Sequence, residues 1–168
     1  MSERTALPIT IRLAEPAEFA DIGELTARAY IGDGLLAEGS DYAARLRDAE
    51  SRAEHAELWV AAHDERLLGT VTYCPPGSVY RDLATDGEAE FRMLAVDPTA
   101  RRLGAARLLV RHCLDRTRQL GIGGLVLCSQ PTMTNAHALY ASLGFRRDPR
   151  LDWSPVDGVE LWGFRTTV

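Results

Sequence analysis

The segment from Arg101 to Ala106 combines residue types that could bind an anion. It reads Arg101-Arg102-Leu103-Gly104-Ala105-Ala106, between a strand-like apolar run and a long helical pattern. Backbone N–H groups at the start of a helix have no partner within the helix and lie at the positive end of its dipole, so they suit a phosphate. The glycine and the two alanines would let such a ligand approach the main chain closely. The sequence therefore predicts a phosphate-binding turn with two arginines at its entrance.

The pattern of this turn is not specific by itself. The two best-known phosphate loops, Gly-x-x-x-x-Gly-Lys-Ser/Thr and Gly-x-Gly-x-x-Gly, do not occur in the chain. A glycine near the start of a helix often serves only the geometry of the turn. The meaning of the segment therefore depends on the elements that must position it.

Strand and helix patterns alternate around this turn. Apolar runs predict strands at residues 9–13, 58–62, 67–73, 90–96, 125–128, 145–148 and 159–166. Apolar residues at helical spacing predict helices at about residues 16–29, 41–52, 103–120 and 133–143. The third of these helices has a predicted core stripe of Leu103, Ala106, Val110, Cys113, Thr117 and Leu120. The order β-α-α-β-β-β-α-β-α-β-β predicts a mixed α/β domain with a central sheet, in which the phosphate-binding turn joins the fourth strand to the third helix.

Length and composition are those of an ordinary globular domain. The 168 residues are 46% hydrophobic and 26% charged, which favours one domain over residues 1–168 with a substantial core. No stretch approaches the ~18 apolar residues of a membrane span, and the first residues contain no apolar signal core. We therefore expect a cytoplasmic protein without a membrane partner, as a monomer or a homodimer. The net charge of −5 argues against nucleic acid as a partner.

Cysteine and histidine show no pattern typical of a metal site. Cys74, Cys113 and Cys128 are widely spaced and lie in apolar contexts, as buried thiols do. The four histidines also lack the spacing of metal ligands. We therefore expect no metal cofactor.

Charges of the two signs concentrate in different parts of the chain. Arginines are frequent in the turn and the helix after it, and acidic residues precede them at Asp33, Glu38, Asp41, Asp82, Asp86, Glu88 and Glu90. One interpretation is two solvated surfaces. The other is a basic site for an anionic cofactor beside an acidic site for a cationic acceptor. The sequence leaves both open.

Three motifs follow one another on the predicted elements. They are Met93-Leu94-Ala95-Val96-Asp97-Pro98, Arg101-x-x-Gly104-x-Ala106, and Asn135-Ala136-x-Ala138-Leu139-Tyr140-x-x-Leu143-Gly144-Phe145. In this order they resemble the GNAT superfamily of N-acetyltransferases, over nearly the whole chain. The resemblance implies transfer of an acetyl group from acetyl-CoA to a primary amine of a small molecule or protein, by direct attack of the amine on the thioester.

The resemblance also implies a set of residues that bind the cofactor. Amides of the turn would bind its pyrophosphate, and the strand before the turn would pair with its pantetheine arm as an added strand does. Family members often have glycine at position 102, so Arg102 fits only if its backbone needs no positive φ. Asn135 is expected beside the arm, or as a residue of a helix start. The implied cofactor-binding residues are Leu94, Ala95, Val96, Arg101, Arg102, Leu103, Gly104, Ala105, Ala106 and Asn135.

Two further residues are implied as catalysts. A protonated amine must lose a proton before it attacks, and the departing thiolate benefits from a proton donor. The resemblance points to Glu90 as the base, directly or through a water, with Glu88 in reserve. It points to Tyr140 as the proton donor. The alternatives are carboxylates that face solvent along a strand and an ordinary core aromatic at helical spacing.

Two other functions remain open at this point. One is a non-catalytic module with the same fold, which binds acyl-CoA or has a regulatory role. The other is an unrelated α/β enzyme that binds a nucleotide. In the family that the chain resembles, acceptor contacts come from variable segments, which here are residues 30–40, 75–88 and 148–158. The sequence does not identify the acceptor.

Overall fold

The computed structural model describes residues 7–85, 87–155 and 157–168. Its strands are β1 (Thr10–Leu13), β2 (Glu57–His63), β3 (Arg66–Cys74), β4 (Glu88–Val96), β5 (Gly124–Ser129), β6 (Arg146–Arg147) and β7 (Trp162–Thr167). Its α-helices are α1 (Phe19–Gly32), α2 (Asp41–Arg47), α3 (Ala49–His55), α4 (Ala105–Gln119) and α5 (Thr134–Ser142). The strands form one mixed sheet in the order β1-β2-β3-β4-β5-β7-β6. The predicted mixed α/β class with a central sheet is therefore confirmed.

Two predicted elements differ from the structure at acidic residues. The single helix expected at 41–52 is divided into α2 and α3, because Asp48 has a non-helical ψ of 68° and its side chain accepts the Ser51 N–H at the start of α3. The strand expected at 145–148 is reduced to β6, because the Asp148 side chain caps a short 3-10 turn, Pro149–Leu151. Local side-chain hydrogen bonds thus replaced the regular pattern at both places.

The predicted core stripe of α4 is wrong at both of its ends. Leu103 and Leu120 are each 41% exposed and lie outside the helix. Leu103 belongs to the turn before α4, and Gly121 ends the helix with a φ of +69°, as a left-handed glycine commonly does. The fully buried part of the stripe includes Val110, Cys113 and Thr117.

The fold comprises two compact units, and each of them contains parts of several strands. The first contains residues up to 72 together with 93–110, and the second contains residues 73–92 together with 111–168. One domain over the whole chain stays a prediction.

In the first unit, β1 and β2 pair antiparallel, with Ile11 opposite Ala61. The core beside this pair contains Ile22, Leu58 and Val60, with Ala49 of α3. Gly23 allows α1 to lie close to the end of α2, since a Cβ there would be 2.3 Å from the Arg47 carbonyl oxygen.

In the second unit, β5 is the central strand. It pairs antiparallel with β7 along its full length, from Gly124 opposite Thr167 to Ser129 opposite Trp162. It pairs parallel with β4 at Glu88–Glu90. A cluster of aromatic rings lies in this unit and comprises Phe91, Tyr140, Phe145 and Phe164.

Candidate active site

The predicted phosphate-binding turn lies in the first unit, directly before α4. Leu108 donates its N–H to the Gly104 carbonyl oxygen at 3.1 Å, so the hydrogen bonding of the helix begins at Gly104. The N–H groups of Ala105 and Ala106 therefore belong to the first turn and have no partner within the helix. Gly104 has a φ of +89°, and apart from its chain neighbours no described residue has an atom within 4 Å of the position that a Cβ would take. The turn thus has an open approach at its glycine.

The backbone of Arg102 contradicts the expectation for this position. Its φ is +67°, in the left-handed region that was expected to be incompatible with an arginine here. A left-handed backbone costs a residue with a Cβ about 1–2 kcal/mol. The side chain is exposed, and no contact of its guanidinium is found among the residues that the structure describes. Arg102 therefore accepts backbone strain and leaves its charge available to an anion.

Because of this backbone conformation, we expect a glycine variant at position 102 to be more stable than an alanine variant, which is the reverse of the usual order in a helix. We expect Arg102→Gly to have a free energy of unfolding about 1 kcal/mol higher than Arg102→Ala, because only glycine adopts a positive φ without strain. Arg111 lies inside α4. There the order should be the usual one, with a free energy of unfolding about 1 kcal/mol higher for Arg111→Ala than for Arg111→Gly. Urea unfolding of the four variants measures both differences. Equal stability of the two variants at position 102 would contradict a left-handed backbone there.

Arg101 is held by an acidic residue at the end of α1. Its Nη2 donates to both carboxylate oxygens of Asp33, at 2.8 and 2.9 Å. Both side chains are more than 40% exposed, so an anion in solution can compete for the guanidinium at small cost. Of the two arginines of the turn, Arg101 thus has an intramolecular partner.

The part of β4 that was predicted to pair with the cofactor arm follows a distorted residue. Met93 has a φ of +54° although it lies within the strand and is buried. Such a residue is typical of a β-bulge, which turns the strand and redirects the groups after it. Leu94 and Val96 are half-buried and Ala95 is buried. No pattern in the sequence predicts this distortion, and backbone strain of this kind is concentrated at functional sites.

Tyr140 of α5 lies in the second unit and is only 3% exposed. Its ring contacts Phe91, Phe145 and Phe164 at centroid distances of 5.9 to 6.0 Å. Burial raises the pKa of the hydroxyl well above its usual range, so it is a weaker acid than an exposed tyrosine, which is also protonated at neutral pH. None of the residues that the structure describes forms a hydrogen bond with this hydroxyl. The hydroxyl therefore has no hydrogen-bond partner in the described part of the chain, and its role as a proton donor stays a prediction.

Asn135 lies in the first turn of α5, whose N-cap is Met133. Its side chain is exposed. It therefore does not cap the helix and stays a predicted contact of the cofactor arm.

Glu90 has surroundings that the sequence did not predict. It is 0% exposed, so the solvent-facing alternative is wrong. Its Oε1 accepts N–H groups of Leu83 at 2.7 Å and Ala84 at 2.9 Å, and both carboxylate oxygens accept the Asp82 N–H at 3.2 Å. Burial raises the pKa of the carboxyl, and the three amides oppose this rise. A raised pKa is suited to a general base, whereas the three amide contacts are suited to holding the main chain at residues 82–84. The role of Glu90 as the base stays a prediction.

Glu88 and Arg92 flank Glu90 on β4 and also have partners. Glu88 accepts hydrogen bonds from Arg165 at 2.8 Å and from Thr85 at 2.7 Å. Burial by itself would raise the pKa of Glu88, but the hydrogen bonds from Arg165 and Thr85 outweigh it and lower the pKa, so Glu88 is a weak base. Arg92 lies 3.0 Å from the Asp82 carboxylate.

The acidic residues that suggested a cationic acceptor are largely neutralised within the protein. Arginines pair with Asp33, Glu38, Asp82 and Glu88. Asp86 lies outside the described residues. These carboxylates therefore give no support to a cationic acceptor.

Neither a metal-binding cluster nor a membrane-spanning helix occurs among the described residues. No group of three or more histidines, cysteines or acidic residues there could hold a metal ion. Within the same residues, no helix is both long and apolar enough to cross a membrane.

Comparison with known proteins identifies relatives of this arrangement. The sequence profile of the Acetyltransferase (GNAT) family matches residues 19–145, which is more than half of the chain. A mycothiol acetyltransferase of Geodermatophilus obscurus is 34% identical over 105 residues, which are 61% of this chain and 33% of that protein. The chain spans about a third of the length of the curated relatives it matches.

Solved structures with the same fold cover nearly the whole chain. A GNAT-family acetyltransferase of Staphylococcus aureus has a TM-score of 0.75 and 16% identity, over 95% of this chain and 99% of that chain. The PaiA N-acetyltransferase of Thermoplasma acidophilum, in complex with coenzyme A, has a TM-score of 0.74 and 14% identity, over 96% and 99% of the two chains. At these identities the likeness shows the fold.

Proposed function

Because the chain belongs to the GNAT acetyltransferase family, we propose that it transfers the acetyl group of acetyl-CoA to a primary amine. The observation that carries this proposal is the Tyr140 hydroxyl, which belongs to a residue only 3% exposed and has no partner in the described part of the chain. A buried tyrosine hydroxyl usually finds a hydrogen-bond partner. A departing thiolate would be such a partner and would take its proton.

The chemical step is a direct displacement. The amine nitrogen forms a bond to the acetyl carbon, the carbon–sulfur bond breaks, and Tyr140 gives its proton to the sulfur. The Leu94 N–H is the proposed donor to the oxyanion that develops on the carbonyl oxygen. The amine also loses a proton, for which the sequence predicts Glu90, and the three amides that bind this carboxylate compete with that role.

The cofactor would be held by residues of the turn and of β4. The amides of the first turn of α4 are suited to its phosphates, as is the guanidinium of Arg102, which has no partner among the described residues. Arg101 can join them by exchanging Asp33 for a phosphate oxygen. The main chain of Leu94–Val96 is the proposed partner of the pantetheine arm, and Asn135 would contact the same arm. The coenzyme A complex of the Thermoplasma relative supports this choice of cofactor.

The acceptor is a primary amine of a small molecule or a protein, and residues 30–40, 75–88 and 148–158 are its proposed contacts. Six carboxylates of these segments pair with arginines: Asp33, Glu38, Asp82, Glu88, Asp148 and Asp152. We therefore include neutral and anionic amines among the candidate acceptors.

Release of free thiol from acetyl-CoA in the presence of an amine panel tests this function. We expect thiol release that depends on one class of amine and yields an acetylated product by mass spectrometry. Acetyl-CoA, but neither ATP nor NAD, should raise the melting temperature. Tight binding of acetyl-CoA without turnover on any amine would instead favour a non-catalytic acyl-CoA-binding module.

A further inference from the structure

The segment Tyr80–Thr85, which precedes β4, is held by the buried carboxylate of Glu90. Glu90 is 0% exposed and receives three consecutive backbone N–H groups, those of Asp82, Leu83 and Ala84. Consecutive amides that converge on one anion form a concave site. Here the anion is a side chain of the same protein, so the site is already filled. The carboxylate therefore determines the path of the main chain through the centre of the segment.

Arginine side chains hold both ends of the same segment. Arg92, with a side chain 9% exposed, donates to the Tyr80 carbonyl oxygen at 3.0 Å and pairs with the Asp82 carboxylate at 3.0 Å. Arg81 donates to the carbonyl oxygens of Thr85 at 3.1 Å and of Glu88 at 2.9 Å. The segment has no regular secondary structure, so these side-chain contacts replace the backbone hydrogen bonds that a helix or strand would supply.

We propose that Glu90 and Arg92 are positioning residues, which hold the segment Tyr80–Thr85 in the shape that the acceptor amine requires. This inference rests on the proposed function, in which that segment contacts the acceptor. A general base must reach the proton that it removes, directly or through one water. The Glu90 carboxylate has no exposed surface and is occupied by three amides. In this arrangement its contribution to the reaction is made through the segment.

Hydrogen exchange of the segment tests this role without any acceptor. In Glu90→Gln an amide NH₂ replaces one carboxylate oxygen. The Asp82 N–H then loses one of its two acceptor atoms, and the bonds to the remaining oxygen lose their charge. We expect exchange at Asp82, Leu83 and Ala84 to become about tenfold faster, as the loss of a charge-assisted hydrogen bond implies. Arg92→Lys should have a smaller effect than Arg92→Met, because lysine retains the charge. Asp115→Asn, which removes an exposed carboxylate paired with Arg118, is the control and should leave these amides unchanged.

Steady-state kinetics then separate positioning from proton transfer. For Glu90→Gln and Arg92→Met we expect KM for the amine to rise about tenfold, with a smaller loss of kcat and an unchanged shape of the pH profile of kcat. Affinity for acetyl-CoA, measured by calorimetry, shows that each variant is folded and should stay within about twofold of the wild type. Loss of the acidic limb of the pH profile in Glu90→Gln, with KM and exchange unchanged, would overturn the inference and make Glu90 the base. If the wild type acetylates no amine, the proposed function fails, while the exchange experiment still decides whether Glu90 holds the segment.

Discussion

Replacing Tyr140 by phenylalanine should lower kcat about 100-fold, at the lower end of the range for removal of a general acid. The lower end is expected because a thiol pKa near ~8.5 makes the thiolate a tolerable leaving group without a proton donor. The substitution removes only the hydroxyl, and the ring contacts with Phe91, Phe145 and Phe164 remain available to phenylalanine. Thiol release under saturating acetyl-CoA and amine measures the effect.

A second tyrosine provides a matched control for this prediction. Tyr73 is fully buried in the same unit, and its hydroxyl lies 2.9 Å from the Thr117 hydroxyl. Tyr73→Phe should lower the free energy of unfolding by about 1 kcal/mol through loss of this bond and leave kcat unchanged. Tyr140→Phe should leave stability nearly unchanged, because its hydroxyl has no partner in the described part of the chain. A wild-type kcat in Tyr140→Phe would contradict the role of Tyr140 as proton donor.

The second large effect is expected at Gly104, the glycine of the phosphate-binding turn. Gly104→Asp should weaken acetyl-CoA binding by at least about fivefold, because a like charge about 4 Å from a phosphate costs about 1–4 kcal/mol. The side chain has room, since nothing lies within 4 Å of the Cβ position. Calorimetric titration with acetyl-CoA measures the dissociation constant, and the loss should shrink at high salt as the charges are screened.

Two asparagine variants separate charge from backbone strain at this site. Gly104→Asn has the size of the aspartate variant without its charge, so it should bind acetyl-CoA more tightly than Gly104→Asp. Gly121→Asn introduces a side chain at a φ of +69°, also with nothing within 4 Å, at the opposite end of α4. It should lower stability by about as much as Gly104→Asn and leave the dissociation constant unchanged. Equal acetyl-CoA affinity in Gly104→Asp and the wild type would show that the turn does not bind the phosphates.

The sequence by itself determined the order of the elements and the position of the turn. Apolar periodicity and turn residues are local signals, and they placed the sheet, α1, α4 and α5 close to their observed bounds. Gly104 between a strand pattern and a helix pattern predicted a phosphate-binding turn, and the structure places this glycine directly before Ala105 at the start of α4. The proposed role of Tyr140 rests on its motif, because helical spacing alone does not distinguish a catalytic ring from a core ring.

Only the tertiary structure decided how the functional groups are held. The left-handed backbones of Met93 and Arg102 carry no sequence signal, since residues of these types rarely adopt them and surrounding contacts must impose the conformation. The pairing of Arg101 with Asp33 joins residues 68 positions apart. The partners of Glu90 are main-chain amides in a segment without periodicity, and main-chain groups are the same in every residue. Whether these amides can bind the Glu90 carboxylate therefore depends on the path of the chain. Packing and hydrogen bonds over the whole unit decide that path.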